Sequence, residues 1–237
     1  NMDIPALSSN MIPIVYNPSG LPLKADTNLD SKGVPRNWYN YVNKKWANVV
    51  TVKETGTKTR AEYISAEEGT PIPEEDILAM FVWIPRYSYT IGCTSSSSCY
   101  GYKIDGASNL AKATPGAIDI KFEKVDEQKS DVTTAPTYNY KIDSDGMPTT
   151  DRTPSNWYTH PAFTFDDKEL SGIWVGKFEL SHSDSTKSVT SMNCEDENCT
   201  EGNNLRILPN VQSLRQNNVS SFFYGIRSMN KSGNIFG

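Results

Sequence analysis

Two stretches of the chain carry its clearest alternation of apolar and polar positions, Phe81 to Gly92 (FVWIPRYSYTIG) and His160 to Ser181 (HPAFTFDDKELSGIWVGKFELS). In the first, Phe81, Trp83, Tyr87 and Tyr89 fall at odd positions and Val82, Ile84, Ser88 and Thr90 at even ones. Successive side chains of a strand point to opposite faces, so one face is aromatic. Pro85 has no N–H to give to a ladder and predicts a break, a bulge or a sheet edge. The second stretch closes on IWVGKFEL, a strand with Trp174 and Phe178 on one face and Ile173, Val175, Lys177 and Glu179 on the other. Gly176 leaves room there for a neighbour, and the two stretches are predicted to be successive strands of one buried sheet.

The same reading extends to the rest. Met11 to Tyr16 predicts a strand closed by the turn Asn17-Pro18-Ser19-Gly20, with Leu21 to Ala25 returning from it. Asn37 to Val52 (NWYNYVNKKWANVVTV) predicts strand pieces joined at Asn43-Lys44-Lys45. Pro73 to Met80 predicts a short helix, with proline at its first position and Glu74, Glu75 and Asp76 at the positive end of its dipole. Ile118 to Val125 alternates with Ile118, Ile120 and Phe122 inward and Asp119, Lys121 and Glu123 toward water. Residues 126–155 are poor in large apolar side chains and predict a surface insertion. Val219, Phe222, Phe223, Ile226 and Met229 recur at helical spacing behind Asn218 or Ser220 as a cap, which would lay Phe222, Phe223 and Ile226 on the sheet. The expected class is α+β, mostly antiparallel β, with few short helices and long loops. Residues 1–70 would form a β-rich segment packing on a core of 71–237 that carries the insertion 126–155, the whole being one compact unit.

Composition narrows the function. The chain has 237 residues, 37% of them hydrophobic and 11% aromatic, with 14 prolines and 15 glycines, as expected of a loop-rich globular protein rather than a disordered one. A net charge of -5 without a basic cluster excludes nucleic acid as a partner, because phosphate binding needs grouped Lys and Arg. No stretch approaches eighteen uninterrupted apolar residues, so no membrane span is expected. The first residues have no charged segment leading into an apolar one, as a signal peptide would. Lacking an initiator methionine and ending on Ile235-Phe236-Gly237, the sequence reads as part of a longer protein. The four cysteines form two tight pairs, Cys93 with Cys99 and Cys194 with Cys199. Each pair brackets a small polar loop, which favours two local disulfides and an oxidising compartment. Their spacing fits a four-thiolate zinc site poorly, so no metal is assigned.

Candidate chemistry is sparse. Trp38, Tyr39, Tyr41, Val42 and Trp46 lie close together, and such a cluster is favoured as core packing. The other reading is a sugar platform, since flat rings stack on pyranose faces, and it makes Trp38, Tyr39 and Trp46 the candidate ligand-binding residues. Asp143-Ser144-Asp145-Gly146 opens like a calcium loop but lacks the later ligands. His160 and His182 have no cysteine or carboxylate at ligand spacing. Ser181, His182 and Asp184 are sequence neighbours, whereas a working triad is assembled from separated segments. No catalytic residue, cofactor or metal is expected.

Phe81, Val82, Ile84, Pro85, Tyr89 and Gly92 match the opening segment of the formylglycine-generating-enzyme-type domain, a variant of the C-type-lectin-like fold, and Trp174 to Glu179 resemble that family's FWIGKYEVT strand. Arg86-Tyr87 stand where the family has a double glycine. The phrases FVWIPRY, HPAF and GIWVGKFE also resemble those of gut-bacterial surface proteins, some with prepilin-type leaders, that precede a lectin-like part. The resemblance implies the N-terminal portion of an elaborated C-type-lectin-like domain, without the enzyme's catalytic cysteines. It implies a secreted or cell-surface, non-enzymatic recognition or display module for a glycan or protein ligand. The alternatives are the globular head of a minor pilin or pseudopilin, with a missing C-terminal half or pilus subunits as partners, and an enzyme of unknown type.

Overall fold

The computed structural model describes residues 2–89, 92–95, 98–104, 111–114, 120–125, 158–165, 168–184, 192, 194–231 and 233–236. The insertion expected at 126–155, with Asp143–Gly146 inside it, lies outside the described residues. Ile12–Tyr16 (β1) and Pro22–Lys24 (β2) form an antiparallel hairpin. Its turn is the predicted one. Asn17 Oδ1 accepts the Ser19 and Leu21 amides at 3.0 and 2.8 Å, and Gly20 sits at φ +87°, a left-handed setting that costs glycine little. β1 pairs antiparallel with Asn48–Val52 (β3), and β3 with Ile77–Pro85 (β4). In β3, Val50 and Val52 share a cluster with Ile12, Ile14, Ile72 and Met80, while Val49 belongs to another with Trp38, Ala47 and Trp83. A strand covered on both faces has no polar side, which is why NVVTV shows no alternation.

The predicted Pro73–Met80 helix is replaced by a single 3-10 turn, Glu74–Asp76, after which β4 begins at once. Ile77 to Val82 find ladder partners in β3, and that pairing overrides the local helix signal. Asp76 is buried too. Its Oδ2 accepts the Tyr63 hydroxyl at 2.7 Å and the Thr57 amide at 2.8 Å, in place of the expected position at the end of a helix dipole. Tyr63 comes from Arg60–Ser65 (α1), a short helix started by a reciprocal Thr59–Glu62 capping box.

Pro85 ends β4 as its missing N–H predicts, and Tyr87–Tyr89 (β5) resumes beyond Arg86. Gly92–Ser95 (β6), Ser98–Ile104 (β7) and Ala111–Thr114 (β8) form an antiparallel three-stranded sheet whose register sets Cys93 opposite Cys99. Ile120–Phe122 (β9) and Tyr158–Thr159 (β10) flank β5, and Thr164–Phe165 (β11) pairs with Lys168–Glu169 (β12). Gly172–Gly176 (β13) lies beside β4 and completes a five-stranded sheet in the order β13-β4-β3-β1-β2. The two stretches that dominate the sequence pattern are thus neighbours in one sheet. Ser181–His182 (β14) pairs with Leu205–Arg206 (β15), and Val219–Ser228 (α2) is the last helix. The molecule is mostly antiparallel β with few helices, in two compact units. One comprises 1–6 and 84–173, the other 7–83 and 174–237.

Within the first unit, the alternation expected around β9 fails at two positions, while Lys121 is exposed and Phe122 half-buried. Ile120 is 56% exposed and Glu123 is fully buried. The cause is Arg86, itself 2% exposed, whose Nε donates to Glu123 Oε1 at 2.9 Å. Thr159 Oγ1 donates to the same oxygen at 2.7 Å, and Glu169 and the Leu170 carbonyl take the Arg86 Nη1. The Arg86 backbone also donates to Ser171 and accepts from Glu123. An ion pair with hydrogen bonds to spare can be dry where either charge alone could not.

In the second unit, α2 starts at Asn218 as predicted, with Asn218 Oδ1 accepting the Ser221 amide at 2.7 Å. Its orientation differs from the expectation. Phe223 and Ile226 are about half exposed and Val219 more so, while Ser221, Gly225 and Ser228 are buried. Phe222 and Tyr224 pack at the flanks of a core that includes Leu78, Ala79, Leu205 and Met229. Close approach decides this. A Cβ on Gly202 would lie 2.4 Å from the Ser228 carbonyl carbon, and one on Gly225 3.2 Å from Met192 Cε. A helix seated that close must present its small side chains, which leaves Val219, Phe223 and Ile226 outside and Phe222 at the flank.

Candidate functional site

Among the described residues, the most extended cluster of rings runs through the second unit. Trp83 on β4 and Trp174 on β13 meet edge to face at 5.1 Å, and Trp38 stacks on Trp174 at 6.4 Å. Tyr39 abuts Trp38 at 5.5 Å, Tyr41 abuts Tyr39 at 5.2 Å, and Trp46 meets Tyr41 edge to face at 5.2 Å. Burial falls along this chain of rings, with Trp83 2%, Trp38 3% and Trp46 40% exposed. Burial also pushes the Tyr41 phenol well above its ordinary pKa. The outer rings are held by a closed loop. Asn40 and Lys45 exchange two backbone hydrogen bonds of 2.9 Å, Asn40 Oδ1 accepts the Asn43 amide, and Lys44 takes a left-handed φ of 57°.

Beside the last ring lies a groove of about 400 Å³, with Trp38, Trp46 and Tyr16 among its walls and Asn37, Asn48 and Lys45 at its polar positions. Among the described residues its lining contains no carboxylate, histidine or thiol. Its amides are partly engaged. Asn37 Oδ1 accepts the Asp26 amide at 2.6 Å and its Nδ2 donates to Glu68; Asn48 Nδ2 donates to the Trp46 carbonyl at 2.7 Å. Each Nδ2 keeps a second N–H, since a primary amide has two. Lys177 Nζ donates to Asn48 Oδ1 at 2.8 Å and stands 4.1 Å over the Tyr16 ring, with its pKa lowered by burial. A second groove of about 260 Å³, bounded by Tyr16, Lys177, Glu74 and Phe178, shares the Tyr16 wall.

Of the three residues the sequence singles out, Trp38 and Trp46 come together in the groove and Tyr39 does not. Tyr39 is half-buried between Trp38 and Tyr41. Trp38 is a core residue that shows an edge, its Nε1 donating to the Asn48 carbonyl at 2.9 Å. Tyr16, Asn37, Lys45 and Asn48 carry no sequence signal for a site. Tyr16 ends a core strand, and the two asparagines flank the aromatic run that drew the reading.

Other clusters are weaker. The His182 Nδ1 accepts the Asp184 backbone amide at 2.9 Å, its Nε2 faces Glu201 at 3.5 Å, and Ser181 Oγ donates to the Arg206 carbonyl, so the three neighbours form no triad. A 310 Å³ hollow by α2 holds Arg227 and Lys231, but Arg227 pairs with Glu197 at 3.0 Å and Lys231 is spent on the Glu197 and Cys199 carbonyls. A 520 Å³ depression around Asp3 and Lys124 in the first unit has no aromatic wall.

Cys194 and Cys199 form the expected local disulfide, buried in the core of the second unit, which removes two of the four sulfurs from any thiolate site. No described helix is long and apolar enough to cross a membrane. Searches against protein-family models, curated proteins and solved structures find no match to this chain.

Proposed function

We propose that the chain is a non-enzymatic, extracellular recognition module that binds a saccharide in the groove between Tyr16 and Trp46. The observation that carries this reading is the half-exposed Trp46 ring, fixed by a hydrogen-bonded loop, beside two asparagine amides that each retain an N–H. A pyranose face presents C–H groups to a ring and hydroxyls to polar neighbours at its rim, and a rigid aromatic wall with amides beside it offers both. The ionisable groups among the described residues of the lining are the Tyr16 phenol and the Lys45 ammonium, without the carboxylate, histidine or thiol partner that would activate them, which favours binding over chemistry. The buried disulfide fits an oxidising compartment. The neighbouring FVWIP and GIWVG strands are in keeping with kinship to the C-type-lectin-like domains of bacterial surface proteins.

A glycan array tests the proposal. Binding that is lost on Trp46→Ala, in a variant whose circular dichroism and melting match the parent, supports it. Absence of all saccharide binding, with incorporation of the chain into pilus filaments, would replace it with the pilin-head reading.

A further inference from the structure

Apart from the Tyr16 hydroxyl, which donates to Met80 Sδ and keeps an acceptor oxygen, the side-chain polar groups left free in the groove are donors, and they imply the chemistry of its occupant. Asn37 Oδ1 and Asn48 Oδ1 already accept the Asp26 amide and the Lys177 ammonium. Trp38 Nε1 is spent on the Asn48 carbonyl. What remains is one N–H on each amide and the whole Lys45 ammonium, which no hydrogen bond or ion pair engages among the described residues. The charges agree. Lys45 lines the groove and Lys177 is bonded to its Asn48 wall; Glu68 is bonded to Asn37, and Asp26, whose amide meets the same Asn37, is paired with Arg36 at 3.9 Å. This excess of cations sits on a chain of net charge -5.

Resting on the saccharide reading above, we infer that the groove selects a carboxylated saccharide, a uronic or sialic acid unit, whose ring stacks on Trp46 while its carboxylate meets Lys45. A neutral sugar would satisfy the ring and leave the ammonium without a counter-charge. A carboxylate supplies two acceptor oxygens to a site whose open positions are donors. Lys45 closes the hydrogen-bonded loop and Trp46 follows it in the chain, so the backbone holds both side chains at the one groove.

The test pairs each probe with its neutral twin: oligogalacturonate and a sialylated oligosaccharide, each beside its methyl ester, titrated into the intact chain by calorimetry at low and at physiological salt. The acid form is expected to bind at least about tenfold more tightly than the ester, a difference of roughly 1.4 kcal/mol. The preference should shrink as salt rises and vanish in Lys45→Gln, while Trp46→Ala weakens acid and ester alike. Lys45 is exposed and makes no contact the fold depends on, so its variant folds. Equal binding of acid and ester, or binding of neutral saccharides alone, overturns this inference and leaves the recognition module standing. Failure of every saccharide overturns both. Tighter binding of a polyglutamate peptide than of either acid saccharide overturns the saccharide class.

Discussion

Replacing Arg86 by methionine tests the account of the first unit most directly. Methionine keeps much of the aliphatic stem and removes the guanidinium. Glu123, with no exposed surface, then loses the Nε donor at 2.9 Å and the charge that came with it, while Thr159 still donates at 2.7 Å. A hydroxyl does not stand in for a guanidinium in a dry site. Breaking one side of a buried pair costs about 3–5 kcal/mol, much of it the penalty on the charge left behind. Removing both charges leaves no such penalty, so Arg86→Met with Glu123→Leu should return to within about 1–2 kcal/mol of the parent. With a urea slope of about 2 kcal/mol per molar, the single variant's midpoint falls by roughly 2 M and the double variant's by less than half of that. Hydrogen exchange read peptide by peptide is the suitable assay, because the chain has two compact units and a single melting curve would blend them. Loss of protection should centre on 84–89, 120–125 and 158–173. A cost below about 1 kcal/mol for Arg86→Met, or a double variant as damaged as the sum of the singles, would refute the reasoning: the first would mean that Glu123 reaches water, the second that the two groups are uncoupled.

Three further outcomes are expected. On α2, Ser221→Leu should cost about 2–3 kcal/mol by overpacking the buried face, while Phe223→Ser stays within about 0.5 kcal/mol, as urea midpoints will show. Asp76 is pushed up by burial, but the Tyr63 hydroxyl and the Thr57 and Lys58 amides outweigh that and hold its carboxyl below the ordinary value of 3.8. Its contribution is therefore full above the ordinary carboxylate range and lost as pH falls through its folded-state pKa, so Tyr63→Phe should lower stability by about 1–3 kcal/mol at neutral pH and flatten the acid limb of a stability–pH curve. The Cys194–Cys199 bond closes a short loop and contributes roughly 2 kcal/mol in the chain-entropy account; with both sulfurs buried, alkylation after reductant should find thiols there only once denaturant is added.

The parts of the fold legible in the sequence are those set by local rules. Pro85 ends a strand because it has no N–H, Asn17-Pro18-Ser19-Gly20 turns because asparagine can cap its own loop and glycine can go left-handed, and Asn218 starts a helix because its side chain reaches the third amide. What failed depended on partners distant in the chain. Glu123 reads as a solvent position until Arg86, far upstream, is placed beside it. Hydrophobic spacing on α2 places Phe222 and Met229 correctly and misplaces Val219, Phe223 and Ile226, because a pattern scores serine and glycine as neutral. The docking surface, with the Gly202 backbone pressed on Ser228, admits nothing larger. The Pro73 to Met80 stretch satisfies helix-start rules, yet its residues from Ile77 onward gain more from a ladder with β3.

The groove shows the same division at finer grain. Aromatic density between Trp38 and Trp46 is visible in the sequence, and so is the conclusion that most of those rings pack on each other. Which ring ends the series is not, because every ring in a packed row covers its neighbour except the last. Trp46 takes that place through backbone geometry: the two hydrogen bonds between Asn40 and Lys45 close the loop just before it, its ring meets Tyr41 edge to face, and it stays 40% exposed. The residues that would give it specificity come from β1, from β3 and from the segment before the loop, and only the sheet order brings them together. A single exposed ring is ordinary on a protein surface, so Trp46 bears on function only through the groove it walls and the amides beside it, and saccharide titration against Trp46→Ala is the measurement that weighs the two readings.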